Sequence, residues 1–188
     1  MQALTDAFAD VQIASLRFNF PSMESSRKPP NSLGICLSTL AAAVTLGTSL
    51  ATEIPLYIGG HSFGGRMASH YVEQSHDARC AGLIYCSFPL HPSGKPGVAR
   101  AEHLPRIRIP QLFLSGTRDS LAEQDLLRGV TEALPMATLL WLATADHSFK
   151  TLKGKKRQRD AGGVATDSAY SLAANATLDW IRHHPTPS

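Results

Sequence analysis

Short apolar runs alternate along this chain with longer stretches in which apolar residues recur at helical spacing. Residues 54–60 (IPLYIGG), 80–88 (CAGLIYCSF), 110–116 (PQLFLSG) and 138–144 (TLLWLAT) are compact apolar runs bounded by turn-forming residues, and they predict strands. Residues 13–20 (IASLRFNF) alternate and stop at Pro21, which predicts one more strand ahead of these. Helical spacing marks Leu4, Ala7, Phe8 and Val11; then Leu33, Leu37, Leu40 and Val44; then a segment from Phe63 to about Glu73. Two further helices carry Leu126, Leu127, Val130 and Leu134, and Ala169, Leu172, Ala173, Ala176 and Trp180. Ser120 and Glu123 form a capping-box pattern before the first of these. Residues 21–34, 89–109 and 153–163 read as loops, and no internal repeat is present. Strands alternating with helices predict the α/β class, with a mostly parallel sheet covered by helices on both faces.

Composition narrows the possibilities. A chain of 188 residues, 43 % hydrophobic, suits one domain over residues 1–188. A formal charge of +3 is too weak to argue for a nucleic-acid partner. The run KGKKRQR reads as a solvated loop. Cys36, Cys80 and Cys86 show no metal-ligand or CxxC spacing, so free buried thiols in a reducing, cytoplasmic setting are expected. The opening MQALTDAFADVQ lacks the pattern of a signal peptide. Residues 29–52 carry no charge, and about 20 apolar residues would span a bilayer. Ser, Thr and Gly interrupt them, and the helical spacing of their leucines favours a buried helix of a soluble protein over a membrane span.

Candidate chemistry sits in IPLYIGGHSFGGRMAS. Gly60-His61-Ser62-Phe63-Gly64 fits G-x-S-x-G between a predicted strand and a predicted helix, the nucleophile elbow of α/β-hydrolases. Such a turn is sharp, needs small neighbours, and lifts the serine hydroxyl above the strand ends. The Phe63 amide, at the positive end of the helix, then faces a reacting carbonyl as an oxyanion donor. In this fold the nucleophile is followed in the chain by an acid and then a histidine. Asp119 in SGTRDS and His147 in ADHSF each follow a predicted strand, on the side where open α/β sheets bind ligands. Taken alone, Asp119 reads first as a turn residue before the helix, and His147 as either a loop histidine or a base; arriving in order after Ser62, they read together as a catalytic set. Asp146 adjoins His147, but neighbouring side chains diverge, so Asp119 is the expected partner.

Other residues carry two readings. Arg66, one turn after Ser62, suits either a substrate carboxylate or a structural ion pair. His91 and Lys95 follow the run at 80–88 and suit either a pocket wall or a solvated loop. His61 is expected to shape the elbow rather than act as a base, and Cys86 to be a core thiol.

The segments SLRFNFPSME, GGHSFGGRMAS, GLIYCSFPLHPSGKP, LFLSGTRD and ADHSF run in order over nearly the whole chain. They resemble the dienelactone-hydrolase-like branch of the α/β-hydrolase fold, specifically small bacterial proteins related to the testis-expressed and histone-acetyltransferase-complex (KANSL-type) hydrolase-like domains. The resemblance implies Ser62 as nucleophile, His147 as base and Asp119 as its orienting acid, with no metal and no organic cofactor. It also implies a strand before the first helix, ending in the loop that supplies the second oxyanion amide. Met1 falls inside the helix that should follow that loop, so it is expected to be an internal methionine of a longer chain whose N-terminal part is missing here. The absent strand would lie between residues 13–20 and 54–60; without it those two are expected to pair directly or to leave backbone groups unpaired. The expected activity is hydrolysis of a small ester, lactone or thioester, without nucleic acid or membrane as partner. The rival expectation is a non-catalytic hydrolase-fold module that binds or scaffolds a partner.

Overall fold

The computed structural model describes residues 2–24, 31–152 and 168–184. Four strands, β1 (Leu56–His61), β2 (Cys80–Cys86), β3 (Gln111–Gly116) and β4 (Ala137–Leu142), form one sheet in the order β1-β2-β3-β4. Every pairing is parallel. Each return to a parallel neighbour needs a crossover. Helix α4 (Phe63–Ser75) makes the first, the segment with single 3₁₀ turns at Ala99–Ala101 and Leu104–Arg106 the second, and α5 (Gln124–Glu132) the third. Helices α1 (Gln2–Asp10), α2 (Pro21–Glu24) and α3 (Leu33–Leu50) precede the sheet, and α6 (Ala169–His183) follows it.

The period of two along the strands divides the core into two layers. Leu83, Tyr85 and Phe113 face one way and pack with Cys36, Leu40 and Val44 of α3, Met67 and Tyr71 of α4 and Leu127 of α5. Ile84, Cys86, Leu112 and Leu114 face the other way, against Leu4 of α1 and Ala169, Ala173 and Trp180 of α6. Every residue of β3 is buried, which is why that run shows no polar alternation.

Three expectations need correction. Residues 13–20 are not a strand: they form no regular element and no ladder to β1 or to any other described strand. An extended segment becomes a strand only when a neighbour takes its backbone hydrogen bonds, and none lies beside it among the described residues. Side-chain packing holds the segment instead, through buried Phe20, whose ring meets Phe63 edge-on at 5.6 Å. The capping box at Ser120 does not form. Helix α5 starts after Glu123, which makes no side-chain cap bond because its carboxylate goes to His91. Third, α3 buries a single stripe, Cys36, Leu40, Val44 and Gly47, and leaves Leu33, Ile35, Leu46 and Leu50 exposed. By length and composition alone it passes for a membrane span. The 153–163 loop, with its basic run, lies outside the described residues.

This burial pattern sets a stability test. Leu83→Ala, at a fully buried position of β2, should cost about 2–5 kcal/mol in chemical denaturation. Leu50→Ala, at a position 69 % exposed, should change stability by no more than about 0.5 kcal/mol.

Candidate active site

The C-terminal ends of β1, β3 and β4 each contribute one side chain to a single point. Ser62 follows β1 directly and caps α4, with φ 52° and ψ −113°. Two backbone bonds hold it there: its N–H donates to Cys86 O at 2.9 Å, and its carbonyl accepts from Arg66 N at 3.1 Å. The sharpness of the turn explains the glycines. A Cβ on Gly60 would sit 2.7 Å from Gly64 C and Gly65 N, and one on Gly65 would sit 2.7 Å from Gly60 O. Strand and helix thus cross backbone to backbone. Gly64, the second glycine of the sequence motif, has open space where a Cβ would go. The steric requirement therefore falls on Gly60 and Gly65.

A second close crossing carries the histidine across the sheet. A Cβ on Gly116, the last residue of β3, would collide with the Ala145 carbonyl. The chain after β4 therefore passes directly over the end of β3. Arg118 N donates to Ala145 O at 2.9 Å and Thr144 N donates to Thr117 Oγ1 at 2.9 Å, which locks the two loops together. Asp119 and His147 meet as a result. His147 Nδ1 lies 2.9 Å from both Asp119 carboxylate oxygens, and His147 Nε2 lies 2.8 Å from Ser62 Oγ. The Asp119 side chain is fully buried, and that of His147 is 22 % exposed. Ser62, Ser87, Thr144 and Phe149 all adopt positive φ at this rim, four of the six non-glycine residues that do so among those described. Backbone strain is thus concentrated around the Ser62 hydroxyl.

Proton placement follows from the acceptors. An ionised carboxylate can only accept, so it fixes the hydrogen of His147 on Nδ1. Nε2 is then free to accept the Ser62 hydroxyl proton. A second serine–histidine pair shows the opposite arrangement. Ser69 Oγ donates to Arg66 O at 2.7 Å, so His103 Nε2, also 2.7 Å away, must donate to that oxygen. His103 therefore cannot take the Ser69 proton, and both residues are buried. Burial, with the stacked His70 ring 3.8 Å away, pushes the His103 pKa down to about 4.

The remaining predicted residues scatter. Phe63 is the first residue of α4, so its N–H has no intrahelical acceptor and stays beside Ser62. Arg66 lies with its guanidinium 5.8 Å from the Phe63 ring centroid; among the described residues it has no carboxylate partner within ion-pair distance. His91 is buried and fully engaged, with Nε2 2.5 Å from Glu123 Oε2 and Nδ1 2.9 Å from Pro92 O. The Pro92 carbonyl and the Glu123 carboxylate raise its pKa. It ties a loop to α5 and does not line an open pocket. Lys95 is exposed in that loop. Asp146 accepts from Ser148 N at 2.8 Å and Lys150 N at 3.0 Å, folding its own turn and leaving His147 to Asp119. Burial lifts the Cys86 thiol to about 12, as befits an inert core residue. Sequence reasoning does not single out Gly65, Gly116 or Thr117; the available signals were a glycine in the first turn of the helix after the elbow and a glycine ending a strand run. A cavity of about 570 Å³ between β4 and α6, lined partly by Trp141, Leu172 and Trp180, includes none of the three convergent side chains.

A parallel sheet with a serine on its strand-to-helix elbow, met by a histidine and an acid from later strand ends, is the architecture of the α/β-hydrolase class. The sequence matches the family model described as an alpha/beta hydrolase domain over residues 1–181, and the chain belongs to that family. Solved structures agree on the fold. Est1E of Butyrivibrio proteoclasticus, solved with ferulic acid bound, is 14 % identical with a TM-score of 0.70, covering 97 % of this chain and 82 % of its own. An α/β serine hydrolase without lid from Xanthomonas campestris is 17 % identical with a TM-score of 0.67, covering 100 % and 74 %. An alpha-beta serine hydrolase homologue from Coxiella burnetii is 18 % identical with a TM-score of 0.64, covering 79 % and 67 %.

Two outcomes follow from the packing and the charges. Gly65→Ala should lower stability by about 1–3 kcal/mol, whereas Gly64→Ala should be neutral or stabilise by up to about 1 kcal/mol; thermal melts compare them. His103 is neutral when folded and protonates below its ordinary value of 6.5 when unfolded, so its contribution is complete above that pH. It should be lost as pH falls from 6.5 towards about 4. Stability against pH should be flatter over that window in His103→Gln.

Proposed function

We propose that this chain is a serine hydrolase that cleaves a small carboxylic ester, lactone or thioester through an acyl-enzyme. The observation that carries the reading is the unbroken line from buried Asp119 through His147 to Ser62 Oγ, with contacts of 2.9 Å and 2.8 Å. His147 Nε2 takes the hydroxyl proton as Ser62 Oγ attacks the carbonyl carbon. Asp119 stabilises the imidazolium that forms. The Phe63 N–H and the positive end of α4 meet the negative charge on the carbonyl oxygen. His147 then gives its proton to the departing alcohol or thiol, and water releases the acyl group by the same steps in reverse.

A small substrate suits the loop after β2. Leu90, His91, Ala101, His103, Leu104 and Ile107 are buried, so this loop lies down on the core and raises no cap over Ser62. Placement in the dienelactone-hydrolase-like, KANSL-type branch rests on the five sequence segments quoted above. The three free thiols, all buried, support a cytoplasmic setting. The rival reading is a hydrolase-fold module that binds a partner without catalysis.

A fluorophosphonate probe separates the two readings. It should label wild-type chain and leave Ser62→Ala unlabelled; an unlabelled wild type would favour the binding module. On p-nitrophenyl esters, Asp119→Asn should lower kcat by up to about 10⁴-fold through the wrong tautomer, and Asp146→Asn should stay close to wild type. Activity should fall as the acyl chain lengthens.

A further inference from the structure

His61, the last residue of β1, immediately precedes Ser62 yet reaches past it. Its Nε2 lies 2.6 Å from the main-chain oxygen of His147. A carbonyl only accepts, so Nε2 carries the hydrogen and donates it. The imidazole is half-buried, with its ring centroid 5.2 Å from that of His147 and 6.2 Å from that of Phe149.

The bond matters because of where the other restraints lie. The chain over residues 143–150 is tied to the loop after β3 through Ala145 O and Thr144 N, and closed on itself through Asp146. Those ties set His147 relative to Asp119. None of them reaches β1, the strand that carries Ser62. Among the described residues, His61 to His147 O is the sole hydrogen bond from β1 to this segment. Thr144 and Phe149, on either side of His147, hold positive φ, a conformation that persists only where surroundings enforce it.

We propose that His61 is a positioning residue for His147. Its Nε2–H grips the main chain of the imidazole-bearing segment and sets the Ser62–His147 spacing across the gap between β1 and β4. The residue immediately before the nucleophile thus fixes the distance over which the proton moves. The inference rests on the hydrolase reading above. Burial lowers the pKa of His61, in keeping with a neutral ring that donates through one nitrogen and adds no charge beside the imidazolium of His147.

The test compares His61→Phe, which keeps a ring and loses the donor, with His61→Gln, whose amide nitrogen can take the place of Nε2. Fluorophosphonate labelling of Ser62 and steady-state kinetics on a short-chain p-nitrophenyl ester are the readouts, with thermal melts to verify folding. His61→Phe should lower kcat and the labelling rate on the order of 10- to 100-fold, as expected for a small misplacement of a catalytic group, with KM little changed. His61→Gln should recover most of that loss. Should His61→Phe fail to fold, His61→Asn, whose amide stops short of the carbonyl, replaces it with the same expectation. A donor-free variant as fast as wild type, or a glutamine variant slower than the phenylalanine one, overturns the inference and leaves the hydrolase reading intact. A wild type that takes no label overturns both.

Discussion

The constraint on which the Ser62 elbow depends is the contact of two backbones, Gly60 at the end of β1 and Gly65 in the first turn of α4. Because neither residue has a Cβ, strand and helix come close enough for the chain to reverse within the two residues between His61 and Gly64. Ser62 must then take a positive φ, which points its hydroxyl out of the sheet. The same reversal leaves the N-terminus of α4 beside that hydroxyl, so the Phe63 amide and the helix dipole are delivered with the nucleophile. The bond from Ser62 N to Cys86 O ties the turn to β2, a strand with a neighbour on each side.

Two serine–histidine pairs of nearly equal length lie on α4 and its surroundings, and they differ in what the other groups accept. His147 has a carboxylate on Nδ1, which leaves Nε2 as an acceptor for Ser62. Ser69 already gives its proton to the Arg66 carbonyl, so His103 must donate to it. Hydrogen-bond distance alone would not separate them; the partners of the far atoms do. Exposure follows the same division, since the imidazole of His147 remains partly open and His103 is sealed in the core.

The β1 side of the sheet is organised differently from the rest. β2 and β3 are paired on both edges and buried on both faces, while β1 has one unpaired edge among the described residues and is mostly half-exposed. Residues 13–20 reach this region through Phe20 and through Leu16, which lies with Leu56 beside Gly47, without supplying a ladder. Apolar surface at Leu16, Phe18, Leu46, Leu50 and Ile54 remains exposed there.

The sequence by itself determined the alternation of strands and helices, the parallel sheet, the elbow at Ser62 and the order in which acid and histidine follow it. These features are written in nearest-neighbour pattern: apolar runs, helical spacing, and glycines around a lone serine. It did not determine whether residues 13–20 become a strand, because that depends on a partner's backbone and not on the segment's own alternation. Nor could it assign His91, whose pocket-like position in the chain became a buried bond to Glu123 once α5 packed alongside. The need for Gly65 rather than Gly64, and for Gly116, emerged only in three dimensions, since each depends on how close another stretch of backbone comes. The meeting of Asp119 with His147, and of His61 with the carbonyl behind it, was likewise decided by tertiary structure. Spacing along a chain fixes which end of a strand a side chain occupies, but the crossing of loops over that end sets the ångströms between them.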